Sequence, residues 1–404
     1  MKKIFYVFSI LIISITLIAC NRQKHNFNYT LNDVGNGYIV SIGSCIDSEI
    51  TIPSKYNGKP VVEIGESGFK NCNFINKLII PDSIVKIGEW AFSYCTSLTS
   101  ITIPKSVRSI ENWAFSDCYS LVEVINKSSL SIEAGSSSYG NIGCYAKQVI
   151  TDKSQSKLTI KKDFVIYDKT CLVKYIGDDI NVVVPKDFKE ISDYAFYQNS
   201  SLINVVVPES VISIGDSVFE YCTSLTNITI QEGITRIGNS MFSECTSLTS
   251  ITIPESVTSI EDWAFYNCKS LTSIEIPNSI TSIGEWAFFC CEALTNIIIP
   301  DSTQRIGEDA FRGCKSITNI IIPNSITSIE NSVFFGCEKL TNITIPKSIK
   351  SIGIYAFNNC GSLISINYEG TIEQWEKISK GNNWNKDVPS ICKVICLDKE
   401  ITIN

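Results

Sequence analysis

The sequence predicts a β-rich solenoid of repeated coils, and three observations support this prediction. Phenylalanine recurs every 23 residues in two series, which start at Phe69 and at Phe196. Proline recurs at the same interval, with Gln231 in the one position where it is missing. The residues between them follow a common pattern, which the segment LTSITIPESVTSIEDWAFYNC (248–268) illustrates. Since such a coil can bury its apolar side only against its neighbours, this strict period indicates stacked coils.

The two series contain eleven units, and the last eight follow one another without interruption. The period falls within the range of about 20–29 residues that is typical of leucine-rich repeats. We therefore predict a leucine-rich-repeat solenoid of about eleven regular coils in two blocks, with a C-terminal cap. The repeated phenylalanines are Phe69, Phe92, Phe115, Phe196, Phe219, Phe242, Phe265, Phe288, Phe311, Phe334 and Phe357.

Each unit contains three short segments with different predicted structures. The segment Leu-x-x-Ile-x-Ile alternates like a half-buried β-strand, and the proline after it ends the strand because it lacks an N–H donor. The segment Val-x-x-Ile predicts a shorter strand on another side of the coil. The segment Ala-Phe-x-x-Cys predicts a tight helical or 3₁₀ turn. Strands of successive coils then pair in parallel, about 4.8 Å apart.

The start of the chain has the features of a bacterial secretory signal peptide. Lys2 and Lys3 precede an uncharged, mostly apolar stretch, 4–19. This stretch has sixteen residues, fewer than the ~20 that a helix needs to span a bilayer. We therefore predict that 1–19 are a signal peptide and are removed.

The string Leu-Ile-Ala-Cys, which ends at Cys20, resembles the bacterial lipobox. The resemblance implies cleavage before Cys20 and a diacylglycerol group on its sulfur, and two or three acyl chains anchor a protein stably to a membrane. The polar residues that follow predict a tether, so that 20–28 form a lipidated linker. The one histidine of the chain, His25, lies in this linker.

The remainder of the chain divides into four predicted segments: an N-terminal cap with the first repeat block (29–125), a degenerate β-rich interruption (126–180), the second repeat block (181–366) and a C-terminal cap (367–404). The interruption follows from the 81 residues that separate Phe115 from Phe196. A cap is required because the last coil otherwise exposes an apolar end and open strand edges. It is predicted to contain a short amphipathic helix with Trp375 and Ile378.

Composition argues against several classes of function. A single histidine leaves almost no candidate for the acid, base or zinc-ligand roles that this residue usually takes. Motifs typical of serine hydrolases, phosphate loops and dinucleotide-binding domains do not occur in the sequence. Removing Lys2 and Lys3 from the 34 basic residues leaves 32 against 41 acidic ones, a net charge of −9, which disfavours nucleic acid as a partner. We expect no enzyme activity, no cofactor and no bound metal.

Ten of the 17 cysteines occupy one repeat position, three residues after the phenylalanine. On stacked coils their Cβ atoms stay about 4.8 Å apart, beyond the roughly 3.5–4.5 Å of a disulfide, so we predict buried free thiols. Two close pairs, Cys290 with Cys291 and Cys392 with Cys396, are the alternative candidates for redox or metal chemistry. Neither pair has the second pair that a zinc site requires.

Six units carry an aromatic residue two positions before the phenylalanine: Trp90, Trp113, Tyr194, Trp263, Trp286 and Tyr355. The residue between the two is alanine in all six units, whereas units with valine or methionine there carry serine instead. Two interpretations are open. In one, the rings cover the edge of the core where the next residue is the small alanine, and serine replaces the ring where that residue is larger. In the other, the rings form a row of flat faces that binds a partner protein or sugar.

The outward residue between the two strand isoleucines forms a second candidate surface. Ile298 and Ile321 occupy this position in adjacent coils and make the most apolar part of a surface otherwise rich in Thr, Ser and Asn. The alternative is that these isoleucines reflect β propensity alone.

The repeat resembles that of BspA-like leucine-rich-repeat surface proteins. Their string IxIPxSVxSIGxxAFxxCxSLTS matches segments such as ITIPKSVRSIENWAFSDCYSLVE and IIIPNSITSIENSVFFGCEKLTN. The resemblance implies a cell-surface adhesin or interaction platform for host matrix or plasma glycoproteins, epithelial cells or other bacteria. We expect an exported protein, lipid-anchored to the bacterial outer membrane and displayed at the cell surface. The alternative is a glycan-binding lipoprotein of an uptake system.

Overall fold

The structure, a computed structural model, describes residues 26–403. The chain forms a β-solenoid of about 14 stacked coils with almost no helix, which confirms the predicted repeat fold. The predicted signal peptide, Cys20 and His25 lie outside the described residues. Within the described part, no helix combines the length and the hydropathy of a membrane span.

The strands are short, and most belong to the repeats. The first block contains β1 (Phe27–Leu31), β2 (Tyr38–Ile42), β3 (Glu49–Thr51), β4 (Lys55–Tyr56), β5 (Lys59–Ile64), β6 (Lys77–Ile79), β7 (Lys86–Ile87), β8 (Ser100–Ile103), β9 (Ser109–Ile110) and β10 (Glu123–Asn126). The coil that follows β10 contains β11 (Gln148–Ile150), and the middle region contains a 3₁₀ turn (Lys153–Gln155), β12 (Leu158–Lys161), β13 (Phe164–Tyr167) and β14 (Cys171–Tyr175).

The second block and the cap continue in the same way. The second block contains β15 (Asn181–Val183), β16 (Glu190–Ile191), β17 (Asn204–Val207), β18 (Ser213–Ile214), β19 (Asn227–Ile230), β20 (Arg236–Ile237), β21 (Ser250–Thr252), β22 (Ser259–Ile260), β23 (Ser273–Glu275), β24 (Ser282–Ile283), β25 (Arg305–Ile306), β26 (Asn319–Ile321), β27 (Ser328–Ile329), β28 (Asn342–Ile345), β29 (Ser351–Ile352) and β30 (Ser365–Tyr368). The cap contains α1 (Ile372–Glu376), β31 (Ser379–Lys380), β32 (Lys393–Ile395) and β33 (Glu400–Thr402).

In most coils the first strand pairs in parallel with the first strand of the next coil, one repeat along the chain. In β17 and β19, for example, Asn204 pairs with Asn227 and Val207 with Ile230. The two-residue second strands pair separately, as β22 does with β24. Apolar residues of β19 point inward and polar ones outward. A slip of one residue would reverse this order, so the burial pattern fixes the register.

The Ala-Phe-x-x-Cys segment is not the predicted helical or 3₁₀ turn. The N–H groups of Ala91 and Ser93 donate to carbonyls three residues back, whereas those of Trp90, Phe92 and Tyr94 donate to the next coil. The residues two before and two after the phenylalanine have left-handed φ angles, such as 55° at Trp90 and 60° at Tyr94. A helix requires consecutive residues with right-handed φ angles, so these left-handed residues exclude a helix. The N–H groups that donate to the next coil form a third hydrogen-bonded ladder between coils.

The repeated phenylalanines fill the centre of the coils, and all eleven are fully buried. Neighbouring rings stack, with centroid distances such as 5.1 Å for Phe196–Phe219 and 5.8 Å for Phe311–Phe334. These distances are close to the ~4.8 Å spacing of paired strands. The ring stack and the backbone ladders can therefore share one repeat without distortion.

The middle region begins later than the predicted interruption (126–180). After β10, the carbonyl of Gly140 accepts a hydrogen bond of 2.7 Å from the N–H of Phe115, as the next regular coil would. Ile142 and Ala146 are buried in the core of the first block. A degenerate coil therefore extends this block to β11. This coil does not follow the repeat pattern in the sequence, because Gly140 and Ile142 take the place of the Ala-Phe pair.

The hydrophobic core is divided, because one cluster ends near Val149 and a second begins at Phe164. The strands β12, β13 and β14 form an antiparallel meander that starts the second block. Tyr175 at its end stacks on Phe196 at 5.3 Å and so takes the place of a repeat phenylalanine. The blocks contact each other laterally, since Tyr119 stacks on Tyr194 at 3.7 Å.

At the N-terminal end, β1 and β2 form an antiparallel hairpin. The ring of Phe27 packs edge-on against Phe69, with 6.1 Å between the centroids. Among the described residues, Phe27 and Asn28 therefore belong to the hairpin, although the predicted tether (20–28) includes them, because the Phe27 ring covers the first phenylalanine of the stack.

The predicted cap helix is present at the C-terminal end. α1 begins with a capping box between Thr371 and Gln374 and buries Trp375, while Ile378 is buried two residues beyond its end. Trp384 packs edge-on against Phe357 at 6.0 Å and covers the last ring of the stack. β33 pairs antiparallel with β32 and so covers the edge of the last parallel ladder.

We expect Phe265→Ala to destabilise the second block by about 3–5 kcal/mol, because it removes a fully buried ring and leaves a cavity. Phe265 stacks on Phe242 at 5.3 Å and on Phe288 at 5.2 Å. The midpoint of guanidinium unfolding measures the loss. Thr252→Ala, at an exposed strand position, is the control and should change stability by less than about 0.5 kcal/mol. Equal midpoints for the two variants would contradict a core built on this stack.

Candidate functional site

The predicted aromatic column lies along the turn side of the solenoid. All six residues have left-handed φ angles, from 54° at Trp113 to 61° at Trp263. Trp113 and Trp263 are 46% and 41% exposed. The units without an aromatic residue have the same backbone, since Ser217 and Ser240 have φ angles of 53° and 50°. The turn geometry is therefore a property of the repeat and not of the aromatic side chains.

The structure brings the six aromatic residues together only in part. Trp90 stacks on Trp113 at 4.9 Å, and Trp263 stacks on Trp286 at 5.2 Å with 9° between the ring planes. Tyr194 instead contacts Tyr119 of the first block. Tyr355 has Ser332 at the same position of the preceding coil, so no second ring of this column lies beside it there.

The stacking changes the chemistry that this column offers. A row of flat faces, as one interpretation of the sequence requires, would leave the ring faces open to a ligand. In each tryptophan pair the faces instead lie against each other, and the ring edges are directed away from the stack. An edge-on aromatic row suits contact with apolar and cationic groups of a protein, whereas sugars stack on an open ring face.

A second aromatic row lies beside the first, and the sequence analysis did not identify it. It occupies the position directly after the phenylalanine. Tyr266 stacks on Phe289 at 4.9 Å and contacts Trp263 at 5.1 Å. Phe289 contacts Trp286 at 4.8 Å. These four residues form a continuous half-buried surface, which we call the aromatic patch. The sequence does contain a signal for this second row, because Tyr266, Phe289 and Phe335 share one repeat position.

Arg312 extends the aromatic patch by one coil. Its guanidinium lies over the ring of Phe335 at 4.5 Å and near that of Phe289 at 5.6 Å. Its Nη1 also pairs with the buried carboxylate of Asp309 at 3.1 Å. Burial raises the pKa of Asp309, and the hydrogen bond from Arg312 opposes that shift. The ion pair holds the planar guanidinium against the rings.

The isoleucine pair lies on the strand side of the coils, away from the aromatic patch. The side chains of Ile298 and Ile321 are 82% and 68% exposed. Both line a cavity of about 520 Å³, which also contacts Pro300. The chain thus has two separate candidate surfaces, one on the turn side and one on the strand side.

The cysteines at the repeat position are buried and hydrogen-bonded. The Sγ of Cys245 lies 3.1 Å from the carbonyl oxygen of Phe219 in the preceding coil, and Cys268 makes the same contact with Phe242. The same bond recurs along both blocks. From Cys95 onward each of these thiols therefore donates to a core carbonyl of the preceding coil, a role that the sequence analysis did not foresee.

The two alternative cysteine pairs have different surroundings. Cys290 occupies the second left-handed turn position, where its side chain is partly exposed and separate from buried Cys291. Cys392 and Cys396 flank β32 and are buried in the cap. No group of three or more His, Cys, Asp or Glu side chains within 26–403 is placed to hold a metal ion.

A family model described as "BspA type Leucine rich repeat region" matches the chain in six copies, over residues 41–159, 178–294 and 259–382. Solved structures are also similar. A leucine-rich repeat protein from Bacteroides ovatus is 24% identical, with 92% of this chain and 89% of that chain covered and a TM-score of 0.40. A leucine rich cell surface protein from Faecalibacterium prausnitzii is 22% identical, with 87% and 96% covered and a TM-score of 0.30.

A third solved structure, the T. pallidum leucine rich repeat protein, is 26% identical. The alignment covers 53% of this chain and 90% of that chain, with a TM-score of 0.36. No curated protein matches the chain significantly. Because all three TM-scores are below 0.5, assignment to a family rests on the repeat model alone.

We expect alkylating reagents to modify Cys144 and Cys290 of the native protein and to spare the buried repeat cysteines. The thiolate is the reactive form, and burial raises the pKa of Cys222 to about 12. At about pH 8 only roughly one Cys222 side chain in ten thousand is then ionised, and that fraction rises as the pH increases toward the pKa. Mass spectrometry of iodoacetamide-treated protein measures this, with guanidinium-unfolded protein as the control. Equal modification of Cys222 and Cys290 in the native protein would contradict the buried thiol ladder.

Proposed function

Because this chain belongs to the BspA-type leucine-rich-repeat family, we propose that it acts by binding other proteins or glycoproteins. The proposal includes a cell-surface lipoprotein, anchored through Cys20, whose solenoid serves as an interaction platform or adhesin. Host matrix or plasma glycoproteins, epithelial cells and other bacteria are the partners that the family resemblance suggests.

The aromatic patch is the observation that carries this proposal. Trp263, Tyr266, Trp286, Phe289 and Arg312 lie side by side on one face of three successive units. Tryptophan, tyrosine and arginine are the residues most enriched at the centres of protein interfaces, where each contributes a large contact area with few side-chain torsions to fix. Rings held in stacks lose little further freedom on binding, which favours their use as anchors.

The patch supports binding rather than catalysis, because rings and a paired guanidinium supply contact area and charge but no group that transfers a proton near neutral pH. The opposite charges of Arg312 and Asp309 leave the patch itself close to neutral. The surrounding solenoid is acidic. A partner would therefore be selected by apolar and aromatic complementarity at the patch, within a weakly repulsive field for other acidic proteins.

We expect the double variant Trp263→Ser/Trp286→Ser to weaken partner binding by at least tenfold, since it removes about 2 kcal/mol or more of aromatic contact. Serine is chosen because Ser217 and Ser240 occupy the same turn position with the same backbone. Purified protein starting after Cys20 is measured against fibronectin, fibrinogen and co-resident bacteria. Ser240→Ala is the matched control. No saturable binding of the wild type to any of these would refute the adhesin role.

The glycan-binding alternative makes a different prediction in the same variants. The faces between the two rings of the Trp263–Trp286 stack are closed to a sugar, and the guanidinium of Arg312 lies over the Trp286 ring at 6.0 Å, so any glycan would occupy the outer face of Trp263. A glycan array with the wild type and the double variant separates the two functions. A glycan signal that disappears in the double variant, without protein binding, would replace the adhesin proposal by the glycan proposal.

We expect Cys20→Ser to release the protein from the membrane, because the side chain that receives the diacylglycerol is missing. Metabolic labelling with a fatty acid and fractionation of the cells measure this. Protease treatment of intact cells then tests surface exposure. A wild-type protein that resists the protease on intact cells but is degraded after lysis faces inward and cannot be an adhesin.

A further inference from the structure

The strand side of the second block carries a groove that the proposed binding role does not use. Two adjacent cavities of about 620 Å³ and 520 Å³ share Asn278 and run along the ends of the first strands. They extend from Glu209 to Ile321 across six successive coils. At about 4.8 Å for each coil, this strand-side groove is roughly 24 Å long.

The groove lies where the parallel ladder of first strands is interrupted. β19 does not pair with β21, and β23 does not pair with β26. A single bridge, Ser273 with Asn296, connects the intervening coil to β23. Among the described residues, no hydrogen bond joins Ile298 or Ile299 to a neighbouring coil. The parallel ladder is therefore irregular along the floor of the groove.

One half of the groove is apolar. Ile298 and Ile321, the most exposed side chains of this half, stand in adjacent coils above a floor formed by Ile297, Ile299 and Pro300. Asp301 lies at its rim. Exposed isoleucines at neighbouring positions of a strand surface are costly in water, and burial by a partner removes that cost.

The other half of the groove is acidic. Glu209, Glu232, Glu255 and Glu275 occupy four successive coils, and all four side chains are exposed. None of them forms an ion pair within the described residues. Along the coils of the groove, Arg236 pairs with Asp216, Arg305 with Glu285, Arg312 with Asp309 and Lys315 with Glu292. The carboxylate of Glu232 accepts hydrogen bonds from the N–H groups of Glu255 and Ser256, so the carboxylates of Glu209, Glu255 and Glu275 are the ones most available to a cationic partner.

We propose that the strand-side groove binds an extended protein segment that carries basic residues at one end and aliphatic or aromatic residues at the other. Basic side chains complement the four glutamates, and the apolar side chains cover Ile298 and Ile321. At about 3.3 Å for each residue, roughly seven extended residues span the groove. This inference rests on the proposed binding role but assigns it a second surface with a partner of different chemistry.

A panel of synthetic peptides of about eight residues tests the inference, since roughly seven extended residues span the groove. The panel contains a peptide with four lysines followed by four leucines or isoleucines, its sequence-reversed form, a scrambled form and a form with glutamate in place of lysine. We expect one of the two block peptides to bind the purified wild type with a Kd of about 10–100 μM, at least tenfold tighter than the scrambled and acidic forms.

Two groups of variants separate the halves of the groove. Ile298→Thr/Ile321→Thr should raise the Kd at least tenfold, and threonine is tolerated there because Thr252 and Thr344 occupy the same repeat position. Glu209→Gln/Glu255→Gln/Glu275→Gln should raise the Kd and abolish its dependence on salt concentration, because the attraction is screened electrostatics. Ile79→Thr, at the same repeat position in the first block and 48% exposed, is the matched control and should leave the Kd unchanged.

The result would overturn the inference if no block peptide bound at up to about 1 mM, or if binding were the same in the isoleucine variant as in the wild type. A measured dimer of the wild type that the isoleucine variant abolishes would identify a second copy of the chain as the occupant and would also overturn it. Trp263→Ser/Trp286→Ser should leave peptide binding intact. The tryptophan variant therefore tests binding by the aromatic patch, and the isoleucine variant tests binding by the groove.

Discussion

The stacking of one phenylalanine on the next is the interaction on which the remaining structure depends. In each unit the ring sits at the centre of the coil, fully buried, and its neighbours lie between about 5 and 6 Å away along the axis. The backbone ladders require nearly the same separation. A coil that changed its length would displace its ring from the stack and its strands from their partners at once. This double requirement explains why the period of 23 residues is kept so strictly within each block.

The turn around the phenylalanine is the part of the coil with the most demanding backbone. Two left-handed residues in every unit cost conformational energy for residues other than glycine, asparagine and aspartate. The second position is often one of these three, as at Asn267, Gly313 and Asn359. The first position holds aspartate only at Asp309 and otherwise serine, tyrosine or tryptophan, for which no such preference exists. The hydrogen bonds to the next coil and the cysteine thiol on the phenylalanine carbonyl compensate for this cost inside the core.

Because backbone and core are fixed by the repeat, variation between coils is confined to side chains that point outward. Each outward position of one coil lies above the same position of the previous coil, so a residue type that several coils share forms a continuous row along the axis. On the turn side this produces the aromatic patch around Trp263 and Phe289. On the strand side it produces four glutamates followed by two isoleucines. The two surfaces differ in charge and in geometry, and they lie on different sides of the solenoid.

The sequence alone determined the solenoid, its two blocks, the buried phenylalanines and cysteines, and the parallel pairing of strands, because a 23-residue period leaves stacked coils as the way to bury the repeated apolar positions. It also singled out Trp263, Trp286, Ile298 and Ile321 as exceptional side chains. Only the tertiary structure decided how they are presented. The tryptophan faces cover each other, the second aromatic row lies beside them, and the strand ladder opens next to the isoleucines. These features depend on φ angles and on distances between coils, and residue identity within one repeat does not specify either.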